Sequence, residues 1–381
     1  MLSTAELDYE LDPRAIATQP AEPRDSARML VVHRVDDRIE HRRVRDLPEY
    51  LRAGDRLVLN STRVMPARLK LRRIGDGRET EGLLEEGLGD RRWAARIRHA
   101  RRLRAGDRLE LMAPRGPGEG VAEGAVVRVL GRRGEASVLE FEGVEAVDAI
   151  VRRCGWTPLP PYILKARQES GDRGDDRADR DHYQTVFAVE DERPSIAAPT
   201  AGLHFTPELL RAAETLGVTR LDVELQVGAG TFKPVEAEFL EQHRMHSEWY
   251  RVPGPALAAL RQTEELRRCR RARVIAVGTT SVRVLESLPD PLPSAPAAPA
   301  VIPAAPPRNQ HGISGETTLM ILPGTPIRRV DALLTNFHLP RSTLLALVGA
   351  FVGLERLKRL YETAQREGYR FYSFGDAMLI L

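Results

Sequence analysis

The sequence has few cysteines, few aromatic residues and no long apolar run. Two cysteines in 381 residues, Cys154 and Cys269, exclude a disulfide framework and a zinc site built from several thiolates. Aromatic residues make up only 5% of the chain, so leucine, valine, isoleucine and alanine must form most of the core. The longest apolar stretch, Leu344–Leu354, is about half of the roughly 20 residues that a membrane-spanning helix needs. We therefore expect a buried helix there and no membrane partner.

An excess of charge of one sign is also absent. The chain has 57 basic and 54 acidic residues, a formal net charge of +3, which is too small to indicate nucleic-acid binding by itself. Only four of the basic residues are lysine. Arginine suits phosphate recognition, but a GC-rich genome explains the same bias. The opening residues, MLSTAELDYELDPR, show no basic segment followed by an apolar one, so a cytoplasmic location is expected.

Hydrophobic patterning divides the chain into two regions. Short apolar runs separated by Gly-Asp, Pro-Gly and Arg-Gly turns fill 63–153, a pattern typical of a small β-barrel or sandwich. Strand and helix patterns alternate over 201–288, which predicts a mostly parallel sheet covered by helices. The predicted fold class is α/β: a large mixed α/β domain, residues 1–62 and 155–381, with a small β-barrel domain inserted at 63–154.

Several local elements follow from capping and turn residues. Thr206 and Pro207 predict the start of a helix that ends at Gly217. The segment 342–368 predicts one long helix, 317–324 a strand, and 369–381 a pair of strands around a Gly-Asp turn. The LPPY sequence at 159–162 predicts extended or turning backbone. Residues 289–312 are rich in proline and alanine and predict a linker or surface loop.

Polar motifs stand beside several strand patterns, where open α/β sheets bind ligands. Each is weak alone: NST is an ordinary turn and GTTS an ordinary helix cap. The motifs are NSTRVMPAR (60–68), PTAGLHF (199–205), QVGAGTFKPV (226–235), HRMHSEWY (243–250), VGTTSVR (277–283), TNFHLPRST (335–343) and YSFGDAM (372–378).

These motifs allow three kinds of chemistry. The glycine loop at 224–232 resembles that of Rossmann-type methyltransferases, but no strand ending in an acidic residue follows it. The histidines of the motifs match no zinc spacing, so acid–base or hydrogen-bonding roles fit better than metal binding. The turn at 278–283 has the form of an anion site, with hydroxyls and free backbone N–H groups at a helix N-terminus and Arg283 one turn further on.

Taken together and in order, the motifs carry a family resemblance. From about Tyr9 to the C-terminus, the chain closely resembles the S-adenosylmethionine:tRNA ribosyltransferase-isomerases of queuosine biosynthesis. The motifs that carry the resemblance are NSTRVMPARL, LPPYI, YQTVFA, AAPTAGLHF, VGAGTFKPV, HRMHSE, VIAVGTTSVRVLES, TNFHLPRSTLL and YRFYSFGDAM. The proline- and alanine-rich segment 289–312 looks like an insertion relative to that family.

The resemblance implies a reaction. The ribosyl group of S-adenosylmethionine is transferred to the aminomethyl nitrogen of 7-aminomethyl-7-deazaguanine, at the wobble position of a tRNA with a GUN anticodon, and is isomerised. The products are epoxyqueuosine-tRNA, adenine and methionine. S-adenosylmethionine is a co-substrate, and no cofactor or metal is expected. We expect a monomer.

The resemblance and the residue types together suggest roles. His204 or His246 is a candidate base or acid, and His338 is a third catalytic candidate that shares a purine-edge role with Asn336. The turn at 279–283 could hold a carboxylate or a phosphate, and the 60–68 segment ribose hydroxyls or RNA phosphate. The substrate-binding candidates are Asn60, Arg63, Arg68, Thr200, Gly228, Gly230, Thr231, Thr279, Thr280, Ser281, Arg283 and Asn336.

Two other functions remain open at this point. An S-adenosylmethionine-dependent RNA methyltransferase would release S-adenosylhomocysteine rather than adenine. A non-catalytic tRNA-binding protein would bind tRNA without consuming S-adenosylmethionine. The arginine-rich stretch 91–104 of the predicted barrel offers phosphate contacts to a tRNA, but an ordinary barrel with solvated arginines on its outer face explains the same residues.

Overall fold

The computed structural model describes residues 1–114, 124–172, 174–189, 193–228, 235–293 and 312–381. The strands in these ranges are β1 (Arg28–Val32), β2 (Ile39–Arg43), β3 (Arg56–Asn60), β4 (Arg68–Arg73), β5 (Glu79–Gly89), β6 (Arg92–Ile97), β7 (Arg108–Leu111), β8 (Val126–Arg133), β9 (Ala136–Phe141), β10 (Thr219–Leu225), β11 (Glu248–Val252), β12 (Val274–Val277), β13 (Ile313–Thr317), β14 (Ala332–Asn336) and β15 (Ala377–Ile380). The α-helices are α1 (Val147–Cys154), α2 (Pro161–Ser170), α3 (Asp176–His182), α4 (Pro207–Thr215), α5 (Gly254–Arg268), α6 (Thr279–Ser287), α7 (Thr343–Val352) and α8 (Leu354–Arg366).

Nine of the described strands form one sheet, in the order β13-β11-β10-β3-β12-β14-β15-β1-β2. Its central strands are buried on both faces; every residue of β3, β12 and β14 is buried. Four neighbouring pairs are parallel and four antiparallel. The mixed α/β class is therefore confirmed, but the expectation of a mostly parallel sheet is wrong, because β2, β11, β13 and β15 pair antiparallel to a neighbour.

The parallel strands decide where polar side chains gather. β10, β3, β12 and β14 lie side by side and run in the same direction. Their carboxyl ends consequently meet at one edge of the sheet, where Leu225, Asn60, Val277 and Asn336 end the four strands. The amino ends of the same strands form the opposite edge.

Six further strands close into a barrel, in the order β4-β5-β6-β9-β8-β7. Alternating residues such as Leu69 and Leu71 fill its interior. The predicted β-barrel is confirmed, and all of its strands fall within 63–154; the division of the chain into two domains stays a prediction. The barrel is tied to the rest of the chain by bridges between Val64 and Ser195 and between Arg68 and Trp156.

Three local predictions are wrong for identifiable reasons. Gly353, at φ 79° and ψ 150°, divides the predicted long helix into α7 and α8. The segment after Thr317 is not a strand, because the Thr317 hydroxyl accepts a hydrogen bond from the Leu319 N–H in place of a sheet partner. At the C-terminus only β15 forms. There, the Asp376 carboxylate accepts the N–H groups of Arg28 and Arg370.

Two further predictions concern the LPPY motif and the proline- and alanine-rich insertion. Helix α2 begins at Pro161, so the LPPY sequence is extended only as far as Pro160. Proline at the first helical position costs no hydrogen bond, which explains why the helix starts inside the motif. Most of the proline- and alanine-rich insertion, 294–311, lies outside the described residues. In the described part of the chain, no helix is long and apolar enough to cross a bilayer.

The break at Gly353 can be tested by substitution. Its backbone conformation is essentially restricted to glycine, and a Cβ there would contact nothing within 4 Å. Gly353→Ala should therefore lower the free energy of unfolding by roughly 1–3 kcal/mol through backbone strain alone. Denaturant unfolding measures this. Gly75→Ala, where φ is ordinary and space is equally open, should change stability by less than about 0.5 kcal/mol. Equal losses of unfolding free energy in the two variants would contradict the strained backbone conformation assigned to Gly353.

Candidate active site

Polar groups from three separate segments meet at the carboxyl edge of the sheet. Asn336 ends β14, and His204 ends a 3-10 turn at Thr200–His204. The Asn336 Nδ2 lies 3.3 Å from His204 Nε2, 3.1 Å from the Tyr372 carbonyl oxygen and 3.5 Å from that of Ser373. Asn336 and His204 are both buried. The sequence placed these residues in different motifs, and the structure brings them into contact.

The two carbonyl groups fix the orientation of the Asn336 amide. Carbonyl oxygens only accept hydrogen bonds, so the amide side that faces Tyr372 and Ser373 must be the NH2 group. The same NH2 group faces His204 Nε2, which must then accept. The proton of the neutral imidazole consequently resides on Nδ1 of His204.

The His204 ring is neutral. Burial, together with the positive charges of Arg370 and Arg24, lowers its pKa to about 3. At neutral pH the ring therefore has one N–H donor, on Nδ1, and one acceptor, on Nε2. His204 is therefore not an imidazolium acid in this structure.

The other atom of the Asn336 amide has no partner. Asn336 Oδ1 is buried and accepts no hydrogen bond from any described residue. Leaving a buried carbonyl oxygen unpaired costs roughly 1–3 kcal/mol. An N–H group of a bound molecule would satisfy this oxygen, so Asn336 has one acceptor to offer a ligand and no free donor.

A second set of side chains supports this cluster. The Tyr162 hydroxyl lies 2.5 Å from Ser373 Oγ, and the Tyr162 and Tyr372 ring centroids are 4.8 Å apart. Burial raises the pKa of the Tyr162 hydroxyl, which therefore stays protonated at neutral pH. Sequence reasoning did not assign Tyr162 or Ser373 a role. The only signal was that they lie in the LPPY and YSFGDAM motifs.

His338 is built into the fold next to the cluster. Its Nε2 lies 2.7 Å from Thr335 Oγ1, and its backbone N–H donates to the Tyr361 hydroxyl at 2.9 Å. Its carbonyl accepts the Tyr9 hydroxyl at 2.5 Å. Burial lowers the pKa of His338 to about 3. These contacts position the end of β14, and through it Asn336.

Asn60 has a similar structural role at the end of β3. Its Oδ1 accepts hydrogen bonds from the N–H groups of Thr62 and Leu225, both at 3.2 Å, and its Nδ2 donates to the Leu225 carbonyl at 3.2 Å. The side chain thus joins the carboxyl ends of β3 and β10. Both the oxygen and the nitrogen of the amide are thus hydrogen-bonded to backbone groups. Asn60 therefore stabilises the carboxyl edge of the sheet and does not present an unpaired polar atom to a ligand.

The start of α6 matches the predicted anion site only in part. Gly278 has a φ of 87°, and a Cβ there would lie 3.6 Å from that of Ala201, so the turn that holds His204 packs against this helix end. The buried Thr280 Oγ1 has no partner among the described residues, and Thr279 is buried beside it. Ser281 Oγ, however, donates to the Val277 carbonyl at 2.8 Å and is not available to an anion.

Arg283 departs further from the expectation. Its Nη1 is hydrogen-bonded to the carboxylate of Glu248, and its Nε donates to the Leu319 carbonyl at 3.1 Å. Glu248 therefore offsets the positive charge of Arg283 at this helix end, and the role of Arg283 in an anion site stays a prediction. The buried Nη2 has no partner in the described ranges, so its two N–H groups remain as donors.

The remaining candidates are dispersed. Arg63 is exposed, and Nη2 of Arg68 lies 2.9 Å from Oε2 of Glu81. His246 is exposed on the segment before β11 and makes no recorded contact with His204 or His338. Thr200 begins the turn that ends at His204. Gly228 has open space around it, and Gly230 and Thr231 lie outside the described residues.

Metal ligands do not cluster in this region. Across the described ranges, no three histidine, cysteine, aspartate or glutamate side chains come together as a metal would require. The chemistry that the described groups can supply is hydrogen bonding and proton transfer in a buried environment.

Two histidine substitutions distinguish a chemical role from a structural one. His204→Ala removes the ring that contacts Asn336 and should lower turnover at least about 100-fold. His338→Ala removes the Thr335 contact and should mainly lower the unfolding free energy, by about 1–3 kcal/mol, with turnover of the folded protein reduced less than about 10-fold. Single-turnover rates and unfolding curves of both variants measure this. A folded His204→Ala protein with near-normal turnover would remove the catalytic assignment.

Comparisons with known proteins cover the whole chain. The model of a family described as queuosine biosynthesis protein matches residues 4–380. Proteins named S-adenosylmethionine:tRNA ribosyltransferase-isomerase are similar to it: 46% identical in Moorella thermoacetica, covering 99% of each chain, and 44% in Rhizorhabdus wittichii, covering 98% of each.

A solved structure is also similar. It is the crystal structure of S-adenosylmethionine tRNA ribosyltransferase from Thermotoga maritima, with a TM-score of 0.50 and 35% identity, covering 99% of this chain and 100% of that one. The full-length family match and the identities above 40% agree with the order of motifs along the sequence. The chain belongs to the queuosine biosynthesis protein family.

Proposed function

We propose that this protein is an S-adenosylmethionine:tRNA ribosyltransferase-isomerase. The observation that carries the proposal is the match to relatives of that name, which are 42–46% identical over 98–100% of this chain. The buried polar cluster at the carboxyl edge of the sheet supports an enzyme, because it holds an unpaired acceptor and a neutral histidine where ligands of α/β sheets bind.

The proposed substrates are S-adenosylmethionine and a tRNA with a GUN anticodon that carries 7-aminomethyl-7-deazaguanine at the wobble position. The products are epoxyqueuosine-tRNA, adenine and methionine. The reaction uses S-adenosylmethionine as co-substrate and needs no further cofactor. We place the protein in the cytoplasm as a monomer.

The chemistry starts from the sulfonium group of S-adenosylmethionine. Its positive charge acidifies the adjacent C5′ protons of the ribose, and a base removes one of them. The ribose ring opens as adenine leaves, and the aminomethyl nitrogen of the tRNA base attacks the ribosyl group. An epoxide then closes as methionine departs. The protein must therefore supply a base, a group that assists adenine departure, and contacts for the methionine carboxylate and the tRNA phosphates.

Asn336 and His204 suit the adenine end of the substrate. The unpaired Oδ1 of Asn336 can accept a hydrogen bond from the exocyclic amine of adenine, a donor that asparagine commonly recognises. The Nδ1–H of His204 can donate to a ring nitrogen of the same base as negative charge develops there. Because Nε2 of His204 is occupied by Asn336, removal of the C5′ proton falls to another group, for which His246 is the candidate.

The arginine-rich stretch of the barrel divides into two parts. Arg92 and Arg96 have glutamate partners, with Arg96 Nε 2.8 Å from Glu85 Oε1. The arginines that are exposed and have no carboxylate partner in the described residues come later in the stretch: Arg98, Arg101, Arg102 and Arg104. These four support phosphate contacts with the tRNA, whereas the first part stabilises the barrel.

The direct test combines the purified protein, S-adenosylmethionine and tRNA that carries 7-aminomethyl-7-deazaguanine. We expect adenine release together with the nucleoside mass of epoxyqueuosine in the digested tRNA. The same tRNA with guanine at the wobble position is the control, and it should give no epoxyqueuosine mass because the attacking amine is missing.

Other outcomes would identify other functions. S-adenosylhomocysteine with a methylated nucleoside would contradict the proposal and indicate a methyltransferase. Tight tRNA binding without consumption of S-adenosylmethionine would indicate a binding protein.

A further inference from the structure

A basic cleft opens at the edge of the sheet opposite the candidate active site. It has a volume of about 540 Å³ and lies where β3, β12 and β14 begin. The end of α5 and the turn that leads from it into β12 form one wall. The lining residues are Arg52, Glu264, Arg267, Arg268, Arg270, Ala272, Arg273, Asp290, Arg328 and Asp331.

The cleft carries a concentrated positive charge. Six of its lining residues are arginine and three are acidic, a formal excess of three that equals the net charge of the whole chain. Asp55, which is buried and does not line the cleft, pairs with Arg273 at 2.6 Å, and Asp331 pairs with Arg267 at 2.7 Å. These pairs hold in place two of the guanidinium groups that line the cleft.

Two arginines of the wall are left without acidic partners. Arg268 and Arg270 are exposed, and no carboxylate of the described residues lies within ion-pair distance of either. Exposed arginines elsewhere on the surface commonly do have such a partner: Arg108 pairs with Glu142 at 2.7 Å and Arg14 with Asp12 at 2.6 Å. The lack of an acidic partner is a feature that this wall shares with the later part of the arginine-rich stretch of the barrel.

Helix stabilisation does not account for the whole cluster. Basic residues in the last turn of a helix interact favourably with its carboxyl end, which explains Arg267 and Arg268. Arg270 lies beyond the helix, with a φ of 56°. Its N–H donates to the Arg267 carbonyl at 2.9 Å, so the turn that presents it is hydrogen-bonded into a defined shape. Arg270 and Arg273, which both lie beyond the end of α5, thus place guanidinium groups beside the cleft.

We propose that this cleft binds the phosphodiester backbone of the tRNA substrate, at a distance from the base that is modified. Guanidinium groups bind phosphate oxygens through paired hydrogen bonds, and several of them along an open cleft match the repeated charge of an RNA strand. The proposal rests on the proposed function, which makes tRNA the polyanion that this protein meets.

The two edges are close enough for one tRNA to contact both. A strand of five residues such as β3 spans about 17 Å at roughly 3.3 Å per residue. A nucleic-acid helix covers that distance in about five or six base pairs at roughly 3 Å each. The wobble base can therefore occupy the carboxyl edge while a neighbouring part of the stem lies along the basic cleft.

The test is tRNA binding by a charge-reversed double variant, R268E/R270E, measured at several salt concentrations without S-adenosylmethionine. The control is R211E/R359E, which changes net charge equally at exposed arginines on α4 and α8. We expect the Kd of the first variant for a GUN-anticodon tRNA to rise at least about 10-fold and the salt slope to fall by about 1.5–2. The control should stay within about twofold of wild type, and the KM for S-adenosylmethionine should not change in either.

The outcomes separate this proposal from the proposed function. A Kd and salt slope of R268E/R270E equal to those of the control would overturn the cleft assignment, whatever the enzyme activity. Weakened binding in a protein that releases no adenine would support the cleft and contradict the proposed function. If the reversed variant does not fold, as judged by its unfolding curve, R268Q/R270Q provides the same comparison with a smaller expected loss of affinity, about threefold.

Discussion

The orientation of one buried amide determines the arrangement of the candidate active site. Asn336 ends a fully buried strand, where its NH2 group faces two backbone carbonyls that can only accept hydrogen bonds. This constraint directs the NH2 group to His204 as well, places the proton of that imidazole on Nδ1, and leaves Oδ1 of the amide unpaired. Tyr372, whose carbonyl accepts a hydrogen bond from this amide, has a left-handed backbone with a φ of 71°.

The direction of the strands separates the functions of the two sheet edges. β3, β12 and β14 run parallel, so their carboxyl ends gather Asn60, the start of α6 and Asn336, whereas their amino ends gather arginines. The chain leaves β3 at Asn60 and enters the barrel at Arg68, so the barrel is attached directly beside the site. Ser195 secures this connection, since it bonds to the backbone on both sides of Val64 and its hydroxyl accepts the Val227 N–H at 2.9 Å.

The sequence predicted the elements whose signals are local. The Thr206 cap and Pro207 predicted α4, and the spacing of short strands predicted the barrel. It also identified His204 and Asn336 as members of site motifs. It could not show that they touch, because 132 residues separate them. The ion pair of Arg283 was missed for the same reason. Its partner Glu248 lies 35 residues away, and no local sequence pattern indicates the pair. Long-range hydrogen bonds likewise replaced the predicted C-terminal strand pair with the Asp376 loop.

The protonation of His204 tests this account most directly. Nitrogen-15 chemical shifts of the ring, assigned by comparison with a His204→Gln variant, can be followed from about pH 5 to 8, the range in which an ordinary histidine titrates. We expect a neutral ring with its proton on Nδ1 and no titration in that range, because burial lowers the pKa of His204 to about 3. A titration midpoint near the usual value of about 6.5, or a proton on Nε2, would contradict it.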